Sequence, residues 1–331
     1  MPGPDPAVAE IRRAVRAALD LHDADRVIVA VSGGADSLAL LAATTFEAAS
    51  PRNPARPHVI GVTVDHGLQD ESAVIAQRTV AQMAALGVDE TATISVHVDV
   101  AAGGMEAGAR QARYAALAEF AARVDAPRVL LGHTRDDQAE TVLMGLTRGS
   151  GGRSIAGMRS SFDDGGVRFI RPLLDVTRAQ TEAACRALGL VWWEDPHNRD
   201  QRFLRARLRH VVLPLLEAEL GPGFADALAR TAPALRIDMD ALDDLAEEWS
   251  RTHDELDARA LAELPAAIRT RIIRAAAVAA GAIDSELSRE HVLAVDALVT
   301  NWRGQIQIDL PGSVHAIRVD GRIEFLRFSP D

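Results

Sequence analysis

The stretch Ser32-Gly33-Gly34-Ala35-Asp36-Ser37 follows an apolar run ending at Val31 and opens an Ala/Leu-rich segment. A turn between a strand and a helix start offers free backbone amides and partial positive charge, which suits phosphate. Gly33 and Gly34 let the backbone approach a ligand closely. Ser32 and Ser37 add hydroxyl donors, and the Ala35 amide belongs to the same cradle. Asp36 does not fit bare phosphate binding, because a carboxylate beside phosphates needs a cation between them. Mg²⁺ is the cation that suits such a pair. A plain Gly turn capped by Asp36 or Ser37 explains less, since capping does not call for two glycines, two serines and an acid together. The loop also lacks the lysine with which G-x-x-x-x-G-K-[ST] reaches the β/γ-phosphates.

Three more stretches end strand-like runs or follow them. Asp65-His66-Gly67-Leu68 closes HVIGVTV and suits nucleoside contacts, a strand-ending turn being the plainer alternative. Arg110, Arg113 and Tyr114 lie on one helical segment, with Arg113 placed to clamp phosphate or a developing negative charge; a solvated arginine is the alternative. In Gly132–Thr141, GHTRDDQAET, His133 and Asp137 are four apart, as are Asp136 and Glu140. On a helix start these groups converge on one end of a sheet. Asp137 joins Asp36 as a candidate Mg²⁺ ligand, and His133, Asp137 and Glu140 suit a cationic amine or a base edge. Capping by Thr134 explains one or two of the acids. In RFLRARLRHVVLPLL (202–216) Leu204, Leu208, Val211 and Leu215 form one face and Arg202, Arg205 and Arg209 another, which suits phosphate contacts. Trp192 and Trp193 read as packing residues rather than base-stacking ones. Histidines show no metal-ligand spacing such as HExxH.

The elements that must position these residues alternate. Strands are expected at 26–31, 58–64, 92–98 and 128–132, and helices at 6–22, 37–49, 71–87, 104–124 and 136–147. That alternation predicts an α/β, doubly wound parallel sheet with helices on both faces and ligands beyond the strand C-termini. Residues 149–166, Gly/Ser-rich, read as a mobile loop. Residues 167–174 read as an edge strand stopped by Pro172, 176–189 as a helix, and 202–219 as a helix kinked at Pro214. An acidic helical region over 224–300 and period-two strands over 305–328, with turns at Pro311-Gly312 and Asp320-Gly321, follow. The boundary is placed near 215, giving a catalytic domain 1–214 and a smaller, mainly helical domain 215–331 ending in short strands.

Composition bounds the function. The 331 residues suit two domains, and 48% hydrophobic content suits a real core. No apolar run is long enough for a membrane span, and the first twenty residues lack a signal-peptide h-region. The single cysteine, Cys185, excludes an internal disulfide framework and a two-cysteine sulfur relay, and points to a cytoplasmic setting. The chain contains no lysine; all 36 basic residues are arginine, which reads as genomic bias. Net charge is −11, yet residues 148–210 carry 12 Arg against 7 acids, +5, between acidic flanks. Such a segment points to a polyanion-facing surface.

Ser-Gly-Gly-x-Asp-Ser after an apolar strand resembles the pyrophosphate loop of the N-type ATP pyrophosphatases (the PP-loop superfamily). These enzymes split ATP between the α- and β-phosphates, adenylate a substrate oxygen and release pyrophosphate. The four stretches in this order, with TRGSGGRSIAGM (147–158), RPLL (171–174) and EDPHNRDQRFLRARLRHVVLPLL (194–216), resemble the tRNA(Ile)-lysidine synthetases. That resemblance covers most of residues 26–216. It implies ATP and Mg²⁺, free L-lysine, and tRNA(Ile) with a CAU anticodon whose wobble cytidine is adenylated at C2 and attacked by lysine. It implies ATP contacts at Ser32–Ser37, Asp65 and His66, catalytic roles for Asp36, Arg113, His133, Asp137 and Glu140, and tRNA contacts at Arg148, Arg153, Arg202, Arg205 and Arg209. It leaves homodimerisation open and expects no membrane partner. The chain departs from the family pattern at Gln69 (usually Arg), at His197-Asn198 (usually Ser-Asn), at Arg205-Ala206 (usually Arg-Asn) and at Gly145 (often basic). These departures bear on individual contacts rather than on the reaction. An RNA thiolase would need paired cysteines. An amidating synthetase would need a glutaminase module and would leave the basic segment unexplained. An inactive RNA-binding module would not need Asp36, Asp137 and Glu140.

Overall fold

A computed structural model describes residues 3–18, 26–51, 56–65, 72–96, 105–148, 151–195 and 200–328. The first-half alternation becomes α1 (Pro6–Ala18), β1 (Arg26–Ala30), α2 (Ala35–Ala48), β2 (His58–Asp65), α3 (Ser72–Ala85), β3 (Glu90–Ser95), α4 (Met105–Arg123), β4 (Arg128–Leu131) and α5 (Arg135–Arg148). After the short α6 (Gly152–Ile155) come β5 (Ser161–Asp164), β6 (Val167–Ile170) and α7 (Arg178–Ala187). The six strands form one sheet in the order β3-β2-β1-β4-β6-β5, parallel except for the antiparallel β5–β6 pair. The strand order reverses at β1 and β4, the position where open α/β sheets bind ligands.

Alternation along the strands sends successive side chains to opposite faces. Val27, Val29 and Val59 join Leu38 and Leu41 of α2 and Ile11 and Val15 of α1 in one core. Ile28, Ile60, Val129 and Phe169 join Leu117 and Ala121 of α4 in the other. Gly61 lets α3 approach β2, because a Cβ there would lie 2.7 Å from Met83 Sδ.

Two sequence expectations need correction. Residues 149–166 are not loop throughout, since they carry α6 and β5. β6 is not the edge: β5 covers it, and Arg168 and Phe169 pair with both neighbours. The turn at Gly165-Gly166, both left-handed (φ 57° and 77°), makes this hairpin. After Gln201, α8 (Leu204–Arg207) passes through a π-helical turn (Leu208–Val212) into α9 (Leu213–Leu220), which carries Pro214 in its first turn, so the chain stays helical through the proline. Proline has no N–H to give the preceding helical turn, and the wider turn absorbs the missing bond.

The chain divides into two compact units, Met1–Leu143 with Met158–Arg230, and Met144–Gly157 with Thr231–Asp331. The division drawn at 214/215 falls inside the π-turn helix, which belongs to the first unit. The second unit holds α11 (Ala258–Glu263), α12 (Ala266–Ala279), α13 (Arg289–Thr300) and the antiparallel sheet β7 (Ile308–Leu310), β8 (Val314–Val319), β9 (Arg322–Arg327). The long α10 (Phe224–Thr252) precedes α11. Leu261, Ile272, Ile273, Leu298, Ala316 and Ile323 centre its core. The turns at Gly312 and Gly321 are where the sequence puts them, both at positive φ.

Gly145 has a physical reason to depart from a basic residue. A Cβ there would stand 2.0 Å from the Ser154 carbonyl oxygen, so the backbone leaves no room for a side chain.

Candidate active site

The C-terminal ends of β1, β2 and β4 open into a cleft of about 690 Å³. The Ser32–Ser37 loop forms one wall. Gly33 takes φ 82°, in the left-handed region, and Gly34 is the extended N-cap of α2. Ser37 Oγ accepts from the Ser32 amide at 3.1 Å and donates to the Gly34 carbonyl at 2.9 Å. The Trp193 amide donates to Gly33 O at 2.9 Å, tying the loop to the 190–195 segment. Trp192 packs partly buried against the core, with the Arg186 guanidinium over its ring, and both it and Trp193 line the cleft. Asp65, Arg113, His133, Asp137, Arg205 and Arg209 also line the cleft. His66 lies outside the described residues, as do Gln69 and His197.

The acids of GHTRDDQAET have three different fates. Asp136 accepts the Arg178 backbone amide at 2.8 Å and so caps α7. Asp137 accepts from the Thr134 amide at 2.9 Å and hydroxyl at 3.0 Å. Its other oxygen meets Arg178 Nη2 at 2.9 Å and Arg209 Nη2 at 3.2 Å. Glu140 has no exposed surface and does not line the cleft. Both its oxygens accept from Arg209, at 2.6 and 3.0 Å, and Arg178 and Arg205 approach within 3.6 Å. The Glu140 carboxylate is thus buried and taken up by arginines behind the cleft. Arg205 and Arg209 direct their charge at these acids.

Asp36 completes the arrangement. Thr181 Oγ1 donates to its Oδ1, and Arg178 Nε lies 3.5 Å from its Oδ2. Burial pushes its carboxyl up to about 6; Arg178 opposes this and Asp137 adds to it. Asp137 also loses hydration, but Arg178, His133 and the Thr134 amide outweigh that and hold it well below the usual range. Arg178 is thus the central cation of the site. The motifs legible in the sequence stop at Leu174 and resume at Glu194, so they pass over it. The available signal was charge balance, since acids gathered at one sheet end require buried cations.

On the other side of the cleft the balance reverses. Arg113 Nε and His133 Nδ1 are buried there without hydrogen-bond partners. Arg171 donates to Tyr114 Oη at 3.4 Å and Arg110 lies over the Tyr114 ring. Burial, with Arg171, Arg113 and Arg110 nearby, depresses the His133 imidazole to about 3 against the pull of Asp137. His133 is neutral near pH 7 and a poor base there, which leaves it hydrogen bonding to a ligand. Buried donors without acceptors mark a place for an anion or a polarised carbonyl.

Among the described residues no three His, Cys, Asp or Glu side chains gather as a metal cluster. Asp36 and Asp137, bridged by Arg178, offer a carboxylate pair beside the phosphate loop. That donor set fits Mg²⁺, which binds through one or two carboxylates plus substrate phosphates and water. Cys185, beneath the loop, donates to Ala35 O at 3.3 Å, and burial pushes its thiol up to about 12, so it is inert. Arg202, its side chain 85% exposed, pairs with Asp200. Arg153 pairs with Asp243, which Arg271 shares. The backbone of Arg148 ends α5; its side chain lies outside the described residues.

Comparison with known proteins gives this geometry a family. A model of the PP-loop domain matches residues 7–216, and a model described as the TilS substrate binding domain matches 256–323. The chain is 52% identical over 328 residues to the tRNA(Ile)-lysidine synthase of Thermobifida fusca, covering 98% of both chains. It belongs to the tRNA(Ile)-lysidine synthase family. Family members from Streptomyces coelicolor and Mycolicibacterium paratuberculosis are 48% and 51% identical, each over 97% of this chain. Among solved structures it is similar to the U34-tRNA thiolase NcsA from Methanococcus maripaludis (TM-score 0.57, 19% identity, 69% of this chain and 79% of that one). At that identity the likeness shows the shared PP-loop fold alone. Like its tRNA(Ile)-lysidine synthase relatives, the chain is an ATP-dependent ligase. The family model ends at 216, while the first compact unit continues to Arg230. No helix among the described residues is long and apolar enough to cross a membrane.

Proposed function

We propose that the cleft adenylates the C2 carbonyl oxygen of the wobble cytidine of tRNA(Ile) with a CAU anticodon and then joins free L-lysine to C2. One observation carries the reading: a phosphate loop at a helix start shares a cleft with an acid pair on one side and unpartnered buried donors on the other. The loop amides and Ser32 hold the β- and γ-phosphates of ATP. The cytidine O2 attacks the α-phosphate, and pyrophosphate departs onto the loop. The lysine amine then attacks C2, and AMP leaves with the former O2. Asp36 and Asp137 would hold Mg²⁺, which supplies charge neutralisation for the leaving pyrophosphate. Arg113 faces the charge developing on the α-phosphate or pyrimidine, and His133 orients the base. Asp65 contacts the nucleoside.

Glu140 acts through Arg209, which also positions Asp137. The tRNA surface draws on the exposed guanidinium of Arg202, with Arg148 and Arg153 as further contacts.

The test is pyrophosphate release from ATP with lysine and unmodified tRNA(Ile), alongside radiolabelled lysine incorporation. Both are expected to require that tRNA. Lysine incorporation that proceeds equally without it overturns the reading.

A further inference from the structure

We propose that Arg178 is the built-in counter-cation of the Asp36–Asp137 pair, so that a divalent metal enters this site only together with nucleotide and displaces the guanidinium. The inference rests on the reading of these two carboxylates as the metal ligands.

The geometry is that of one fork serving three acids. Nε lies 3.5 Å from Asp36 Oδ2, Nη2 2.9 Å from Asp137 Oδ1 and Nη1 3.6 Å from Glu140 Oε1. The side chain is 21% exposed. Its backbone is fixed, since Asp136 accepts its amide and the Thr177–Gln180 capping box starts the helix at this residue. Movement is left to the side chain. A guanidinium does not deprotonate at any relevant pH, so the tethered charge persists until another cation replaces it.

A free metal ion must compete with a tethered charge at high effective concentration. It must also shed water for a site with two carboxylate ligands, which Mg²⁺ does reluctantly. Metal arriving with ATP brings phosphate oxygens that complete its shell. The same phosphates offer the released guanidinium a new partner beside a loop that has no lysine. Glu140 is not left bare, because Arg209 holds both its oxygens independently. Asp137 likewise keeps the Thr134 donors.

The probe is Mn²⁺, followed by electron paramagnetic resonance on the full chain without nucleotide. The wild-type protein is expected to hold no tightly bound Mn²⁺, and Arg178→Gln to bind one ion roughly tenfold tighter or more. Arg178→Lys, which keeps the charge, should stay close to wild type. Adding Asp36→Asn to Arg178→Gln should remove the gain. Tight nucleotide-independent Mn²⁺ binding by wild type, or no gain in a folded Arg178→Gln, overturns the proposal. If Arg178→Gln does not fold, the wild-type titration decides alone. A parallel titration with a non-hydrolysable ATP analogue separates the two readings. Analogue-dependent Mn²⁺ binding that ignores Asp36→Asn removes the metal role of Asp36 itself. Binding that needs Asp36, with no gain in Arg178→Gln, overturns the gating role alone.

Discussion

Burial pushes the Asp36 carboxyl up to about 6, from an ordinary value of 3.8. The folded state therefore holds this proton more tightly than the unfolded chain. The resulting instability is absent below pH 3.8, grows as pH rises to 6 and is complete above it, on the order of 3 kcal/mol. Asp36→Asn keeps an acceptor for Thr181 and removes the buried charge. In nucleotide-free protein it is expected to raise the melting temperature at pH 8 and to leave it unchanged near pH 4, while abolishing pyrophosphate release. A melting temperature at pH 8 no higher than wild type would mean that the Arg178 pair compensates the charge fully. Glu140 answers oppositely. Its removal takes away both Arg209 hydrogen bonds to Glu140 and the counter-charge that Arg205 approaches, leaving Arg209 only its contact with Asp137, so Glu140→Ala should cost about 3–5 kcal/mol. Thermal or urea unfolding of the variant checks this.

At the scale of elements, β4 and the start of α2 meet without side chains between them. A Cβ on Gly132 would lie 3.1 Å from Ser37 N and Cα and 3.2 Å from the Asp36 carbonyl carbon, all of it backbone. Gly132→Ala must push the phosphate loop away from the strand by a few tenths of an ångström. The expected outcome is a stability loss of about 1–3 kcal/mol and weakened ATP binding by isothermal titration. Undiminished ATP affinity would show that the loop is not fixed by this contact. The parallel strands were legible because Val27–Val31 and His58–Val64 are continuous apolar runs, and every phosphate-loop residue followed from one hexapeptide. β5 was not legible: SFDD has no apolar alternation, and it forms because the β6 edge needs a partner and Gly165-Gly166 permits the turn. Arg178 was hidden for a related reason. In sequence it is one arginine of an ordinary helix start, and its role exists only where three distant acids meet it.

For the molecule as a whole, the +5 segment between acidic flanks pointed to a polyanion, and the structure spends much of that charge internally. Arg178, Arg205 and Arg209 neutralise Asp36, Asp137 and Glu140. Linear charge counting cannot separate an inward arginine from an outward one when both lie on the same helical stretch. Salt dependence can. Removing one arginine that pairs with a nucleic-acid phosphate lowers the slope of log affinity against log salt by roughly 0.7–0.9. Arg202, 85% exposed, is expected to form such a pair, so Arg202→Ala should weaken tRNA binding and reduce the slope by about that amount. Arg209, 20% exposed and locked on Glu140, should behave differently. Arg209→Ala is expected to lower stability and turnover while leaving the salt slope of tRNA binding unchanged. Filter binding of tRNA(Ile) between about 50 and 200 mM salt measures both slopes. Equal slope reductions in the two variants would place Arg209 on the RNA and would require the Glu140 pair to open when tRNA binds.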